Sequence, residues 1–151
     1  MVIREEFTVQ KPMEQVWEFL QDVPRLATCV PGVEAVEMIE PNRYRGRLAV
    51  RVGPIATSFE GLVRIIRRIP PMRIEAEIEG QDRVSGSGVK AFFIGILEPR
   101  EMDTRLSCEL QLSLRGRLAQ FGSAIIEATA RRTIEEFARR LRQALEEAHE
   151  R

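Results

Sequence analysis

The sequence predicts an α+β fold: a seven-stranded antiparallel sheet, two short helices after the first strand, and a long helix at the C-terminal end. Three observations predict it. Two stretches alternate almost perfectly: Met72, Ile74, Ala76 and Ile78 oppose Arg73, Glu75, Glu77 and Glu79, while Leu106, Cys108, Leu110, Leu112 and Leu114 oppose Arg105, Ser107, Glu109, Gln111 and Ser113. A period of two gives each strand one buried and one wet face. Short turn signals separate the strand-like runs, which favours an antiparallel meander. In the last third the apolar period changes to that of a helix.

Each element follows from its own residues. Val2 to Val9 places Ile3, Phe7 and Val9 opposite Arg4, Glu6 and Thr8, so it reads as a strand. "KPMEQVWEFL" opens with Pro12 in a first-turn position and turns Val16, Trp17, Phe19 and Leu20 inward, so it reads as a short helix. Asp22 and Pro24 cap and start a second small helix that ends near Val30. The Pro31-Gly32 corner closes it, because proline fixes φ and glycine accepts positive φ.

Six strands are expected next: Val33 to Glu40, Tyr44 to Val52, Thr57 to Ile69, Met72 to Glu79, Gly88 to Leu97 and Thr104 to Arg115. Pro41-Asn42, Gly53-Pro54, Pro70-Pro71 and "GQDRVSGSG" punctuate them. The long helix is read from Leu118 onward. Ile134, Phe137, Leu141, Leu145 and Ala148 form one amphipathic stripe. Leu118, Phe121, Ile125 and Ala128 mark a second face, nearly opposite the one that Ile126 and Ala130 begin, so the first half is expected to be covered from two sides. Gly122 within it costs about 1 kcal/mol relative to alanine, which implies that something needs the room. Glu127 with Arg131, Glu135 with Arg139 and Glu136 with Arg140 are spaced as i,i+4 pairs, a solvated and self-paired face.

Composition narrows the function. The 151 residues, 44% of them hydrophobic, suffice for one domain over residues 1–151 with one core. The 23 basic and 23 acidic side chains cancel, which argues against nucleic acid as a partner. Cys29 and Cys108 belong to no ligand cluster and read as buried thiols in a reducing compartment. The charged N-terminus lacks the apolar region of a secretion signal, and no apolar run approaches the roughly 18 residues needed to span a bilayer. The expected location is the cytoplasm.

At this point the residues carry a resemblance. "VWEFLQDVPRLATCVPGVEAVE", "YRGRLAVRVGPIATSFEGLVRI", "GSGVKAFFIGILEP" and "RGRLAQFGSAII", in that order, resemble the CoxG family, that of the carbon monoxide dehydrogenase G protein, within the START-like, Bet v 1-like (SRPBCC) superfamily. The resemblance covers roughly residues 2 to 145. It implies a helix-grip fold, with the sheet wrapped around the long helix and a hydrophobic cavity between them. It implies a non-enzymatic protein that carries a lipophilic, quinone- or lipid-like molecule and assists a molybdenum-type CO dehydrogenase or related redox enzyme in recruitment, maturation or electron-acceptor delivery. Two alternatives stand beside it: a cyclase or aromatase of the same superfamily, and a ligand-free assembly factor. Many members carry an extension that ends in a membrane-seeking segment, whereas this sequence stops at Arg151. The expectation is therefore at most peripheral, transient membrane contact.

In such a fold Cys29, Val30, Pro31 and Gly32 would form a stiff lip on the cavity, with Trp17 and Leu26 beneath it. Gly80 to Gly88, with three glycines in nine residues, is a second candidate rim. The candidate walls are Phe59, Val63, Ile65, Phe93, Leu110, Leu112, Phe121 and Ile125. The same residue types serve as ordinary core, and a void of roughly 300 Å³ or more is what would make them ligand contacts.

No catalytic or metal site is expected. The only histidine, His149, is placed in the last exposed turn, which rules out a Ser/His/Asp or Cys/His apparatus and most zinc sites. Glu60 and Glu127 are the carboxylates closest in sequence to the proposed walls. Gly86 and Gly88 lack the lysine and following helix of a phosphate-binding loop. The expected cofactor is none beyond a bound quinone or lipid.

Overall fold

The computed structural model describes the backbone of residues 1–150 and the side chains of residues 1–146; the sequence readings of the Ala148 and His149 side chains lie outside the described residues. In chain order the elements are β1 (Val2–Val9), α1 (Met13–Gln21), α2 (Val23–Ala27), β2 (Val33–Glu40), β3 (Arg43–Val52), β4 (Ile55–Ile69), β5 (Arg73–Asp82), β6 (Ser87–Arg100), β7 (Asp103–Arg115) and α3 (Ser123–Glu150), with a 3₁₀ turn at Gly116–Gln120. The seven strands form one antiparallel sheet in the order β1-β7-β6-β5-β4-β3-β2. Consecutive strands from β2 to β7 pair as a meander, and β1 adds to β7 at the far edge.

The expected elements are present in the expected order. Asp22 caps α2 by accepting the Arg25 backbone N–H at 3.3 Å, and Pro24 occupies its first turn. Pro12 precedes α1, which buries Val16, Phe19 and Leu20. The sheet curls where Gly46, Gly61 and Gly80 lie side by side in register across β3, β4 and β5. A side-chain carbon at Gly61 would stand 3.1 Å from the Glu79 carbonyl oxygen, and one at Gly80 would stand 3.0 Å from Val89. Bare backbone in three adjacent strands lets the sheet bend around the helix.

Two readings of the C-terminal third are corrected. The chain does not enter α3 at Leu118: Gly116–Gln120 makes a tight turn that follows β7, and the helix starts only at Ser123. Leu118 is buried from that turn, and Phe121 packs inward from the extended residue after it. The apparent face Leu118, Phe121, Ile125, Ala128 is therefore not one side of a helix. Gly122 lies ahead of the helix with nothing within 4 Å of where a side-chain carbon would stand, so no neighbour requires the room.

The core divides into two clusters. The larger joins Phe7, Val9, Val16, Phe19, Leu20, Cys29, Leu97, Leu106 and Cys108 to Ala138, Leu141 and Leu145 of α3. The smaller joins Val52, Phe59 and Leu118 to Ile126 near the start of α3. One end of α3 is thus anchored against β1, α1, β6 and β7, and the other against β3, β4 and the 3₁₀ turn. Arg131 does not pair with Glu127; it crosses to Glu5 on β1 and also donates to the Arg4 carbonyl at 3.2 Å. Glu136 takes both Arg139 and Arg140.

Candidate functional site

Between the two clusters the sheet presents an inward face that neither cluster fills. Leu48, Val50, Val63, Ile65, Ile78, Val89, Ala91, Phe93, Leu110, Leu112 and Leu114 all stand on the apolar side of their strands, yet each keeps partial exposure. Their outward neighbours carry the charge, as in the ladders Arg47–Glu60 and Arg64–Glu77. Inward-facing apolar residues that are packed to native density become fully buried, as Val52, Ile74, Ala76 and Leu106 do. Partial exposure on the concave side marks free space over the middle of the sheet.

Part of that space is a distinct pocket of about 200 Å³, lined by Met1, Leu112, Leu114, Leu118, Ala119, Phe121, Ser123 and Ile126. It is open rather than sealed, and it falls short of the roughly 300–1,000 Å³ of drug-sized ligand sites. Alone it would accommodate only part of such a molecule.

The predicted wall residues distribute as follows. Leu112 and Phe121 line the pocket. Phe59 is buried in the smaller cluster, whereas Phe93 packs on the larger one. Val63, Ile65 and Leu110 lie on the half-buried inward face. Ile125 is a correction: it is 42% exposed and sits on the side of α3 away from buried Ile126 and Leu141, because the helix begins at Ser123 and its phase is set by the stripe running to Leu145. Glu60 is exposed on the outer face with Arg47, while Glu127 is half-buried on α3.

The predicted lip also divides. Cys29 is a core residue, with Trp17 and Leu26 packed against its cluster. Val30 and Pro31 are half-buried and Gly32 is exposed. Gly32 has φ +87°, and a side-chain carbon there would fall inside van der Waals contact with the Ala49 carbonyl oxygen. The Ala49 N–H donates to the Gly32 carbonyl at 2.8 Å. The corner is thus fastened to β3.

Gly80 to Gly88 is a second correction. Gln81 and Asp82 extend β5 and Ser87 and Gly88 begin β6, which leaves a turn of Arg83 to Gly86. Asp82 organises that turn: it accepts from the Thr57 hydroxyl, from the Val84 N–H at 2.9 Å and from the Ser85 hydroxyl at 3.1 Å. These donors, Thr57 first, hold its carboxyl down at about 2. Three glycines look loose in a sequence, but one aspartate can satisfy the turn locally.

Both thiols are quiet. Burial raises the Cys108 thiol to about 12, with Glu5 adding to the effect, and burial also raises Cys29. Among the described residues no group of three His, Cys, Asp or Glu side chains is placed to hold a metal ion, and no helix is long and apolar enough to cross a membrane.

The sequence reading passes over Tyr44. It is buried on the inward side of β3, between exposed Arg43 and Arg45. The available signal was a phenol on the apolar side of an alternating strand, where its hydroxyl needs a partner.

A curled seven-stranded antiparallel sheet gripping a long C-terminal helix, with two short helices after the first strand, is the START/Bet v 1-like helix-grip fold. Solved structures agree. A conserved protein from Geobacillus kaustophilus superposes with a TM-score of 0.90 at 18% identity, covering 98% of this chain and 97% of that one. A START superfamily protein from Mycobacterium smegmatis gives 0.74 at 13% identity, covering 97% and 98%. The Zhui aromatase/cyclase from Streptomyces sp. R1128 gives 0.71 at 18% identity, covering 97% and 93%. At these identities the likeness shows the fold alone. The chain belongs to the CoxG family, that of the carbon monoxide dehydrogenase G protein, whose model matches residues 6–146. Comparison with curated protein sequences gives no match.

Proposed function

We propose that this protein is a non-enzymatic carrier that holds a lipophilic, quinone- or lipid-like molecule between sheet and α3 and assists a molybdenum-type CO dehydrogenase or a related redox enzyme. One observation carries the binding part of this reading: the inward apolar face from Leu48 to Leu114 keeps partial exposure, while the clusters at either end of α3 are closed. Apolar surface left uncovered inside a fold is stabilised by an apolar occupant, since burying it gains about 25 cal/mol per Å². Family membership supports the choice of enzyme partner. The reading places the protein in the cytoplasm, with only peripheral and transient membrane contact.

The test is native mass spectrometry of protein purified without detergent from a quinone-producing host, followed by organic extraction. The expected result is a stoichiometric isoprenoid quinone or lipid, released chemically unchanged. A clean apo mass that does not shift on incubation with quinones would sink the carrier reading and leave an assembly factor. An altered product released over time would point instead to an enzyme.

A further inference from the structure

The interior holds a polar atom that the protein itself leaves without a partner. Tyr44 is 8% exposed, and among the described residues its hydroxyl takes part in no hydrogen bond. No completely occluded side-chain polar atom among the described residues lacks a partner, so this hydroxyl borders free space. The other buried polar side chains are all satisfied from within: Thr57 donates to Asp82, the Ser87 hydroxyl accepts from the Leu118 N–H at 3.3 Å, and Thr104 donates to the Lys11 carbonyl at 2.8 Å. A buried phenol normally finds a partner, because leaving one unmatched costs as much as a lost hydrogen bond.

Register places this hydroxyl on the candidate site. Tyr44 stands opposite Val63, Val63 opposite Ile78, Ile78 opposite Ala91, and Ala91 opposite Leu112. These five form one transverse row across the concave face. Val63, Ile78, Ala91 and Leu112 are the half-buried residues under the free space, and Leu112 lines the pocket at the far end. At about 4.8 Å per strand the row spans roughly 19 Å along the sheet.

We infer that the Tyr44 hydroxyl is the polar anchor of the ligand, donating a hydrogen bond to a neutral carbonyl oxygen at one end of an otherwise apolar molecule. This rests on the carrier reading and narrows it. The head is a carbonyl rather than a carboxylate because the arginines closest to this interior are already engaged: Arg131 with Glu5, and Arg68 with Gln21 at 2.7 Å and with Asn42. An ionised head would enter an apolar space without a free counter-charge.

Calorimetric titration with two probes of the same shape, 2-decyl-1,4-naphthoquinone and 2-decylnaphthalene, on wild type and Tyr44→Phe tests this. Wild type should bind both, the quinone more tightly. Y44F should lose roughly five- to tenfold in affinity for the quinone, the worth of one neutral hydrogen bond, and nothing for the hydrocarbon. The infrared carbonyl stretch of the bound quinone should lie lower in wild type than in Y44F. Removing an unpartnered hydroxyl should leave the melting temperature unchanged, and an unchanged melt confirms that a folded variant is being compared. Wild type binding both probes, with the quinone affinity and carbonyl stretch unmoved by Y44F, would overturn the Tyr44 assignment alone. Wild type binding neither would overturn the carrier reading and the anchor with it.

Discussion

Asp82 shows how one side chain can fix a loop that composition leaves open. Its carboxylate accepts three donors in the turn before β6, and its folded-state pKa of about 2 lies below the usual 3.8. A depressed carboxylate stabilises the fold above its unfolded value, and that contribution disappears as pH falls through the folded value. Asp82→Asn should therefore lower stability at pH 7, and the gap to wild type should close between about pH 4 and pH 2. Urea unfolding across that range reads it directly, and a gap that persists unchanged at pH 2 would refute the electrostatic account. Two glycines give the matching backbone contrast. Gly32→Ala combines positive φ with a collision against the Ala49 carbonyl and should cost about 2 kcal/mol or more. Gly122→Ala meets nothing and should stay within about 0.5 kcal/mol of wild type by chemical denaturation. Glycine in a sequence is ambiguous between these cases, because the deciding fact is how close another strand's carbonyl approaches.

The elements most legible in the sequence are those whose period is undisturbed. β5 and β7 alternate cleanly, and Asp22 with Pro24 marks α2. The start of α3 is harder to read: Leu118 and Phe121 fall at helical spacing from Ile125 by coincidence, although they reach the core from a 3₁₀ turn and an extended residue. Gly116, at φ +77°, was the stop signal, since it breaks β7 away from any continuous helix. The two faces of α3 should respond very differently to truncation. Leu141→Ala removes a fully buried side chain from the larger cluster and should cost about 2–5 kcal/mol. Ile125→Ala, on the outer side, should cost less than about 0.5 kcal/mol. Equal losses in denaturant titrations would mean that α3 is rotated from the phase described.

At the scale of the whole molecule, the sequence marks which side of each strand faces inward but not how completely that side is covered. Val63, Ile65 and Leu110 are chemically indistinguishable from core, and only the separation of two closed clusters along α3 leaves them half-buried. Tyr44 was missed for a related reason, as its ring reads as packing and its hydroxyl becomes informative only once no partner is found. The same distinction separates a carrier from a solidly packed domain by a single substitution. Ala91 lies in the middle of the transverse row, opposite Ile78 and Leu112, and keeps partial exposure. In a packed core Ala91→Phe would force its neighbours off their rotamers and cost about 1–3 kcal/mol. Over free space the added ring instead covers apolar surface, so the melting temperature should hold or rise while affinity for an alkylnaphthoquinone falls at least tenfold. Calorimetry of melting and of binding on the same preparation checks both halves. A destabilised variant would show that the middle of the sheet is already filled, whereas a stable variant that no longer binds would locate the ligand over Ala91.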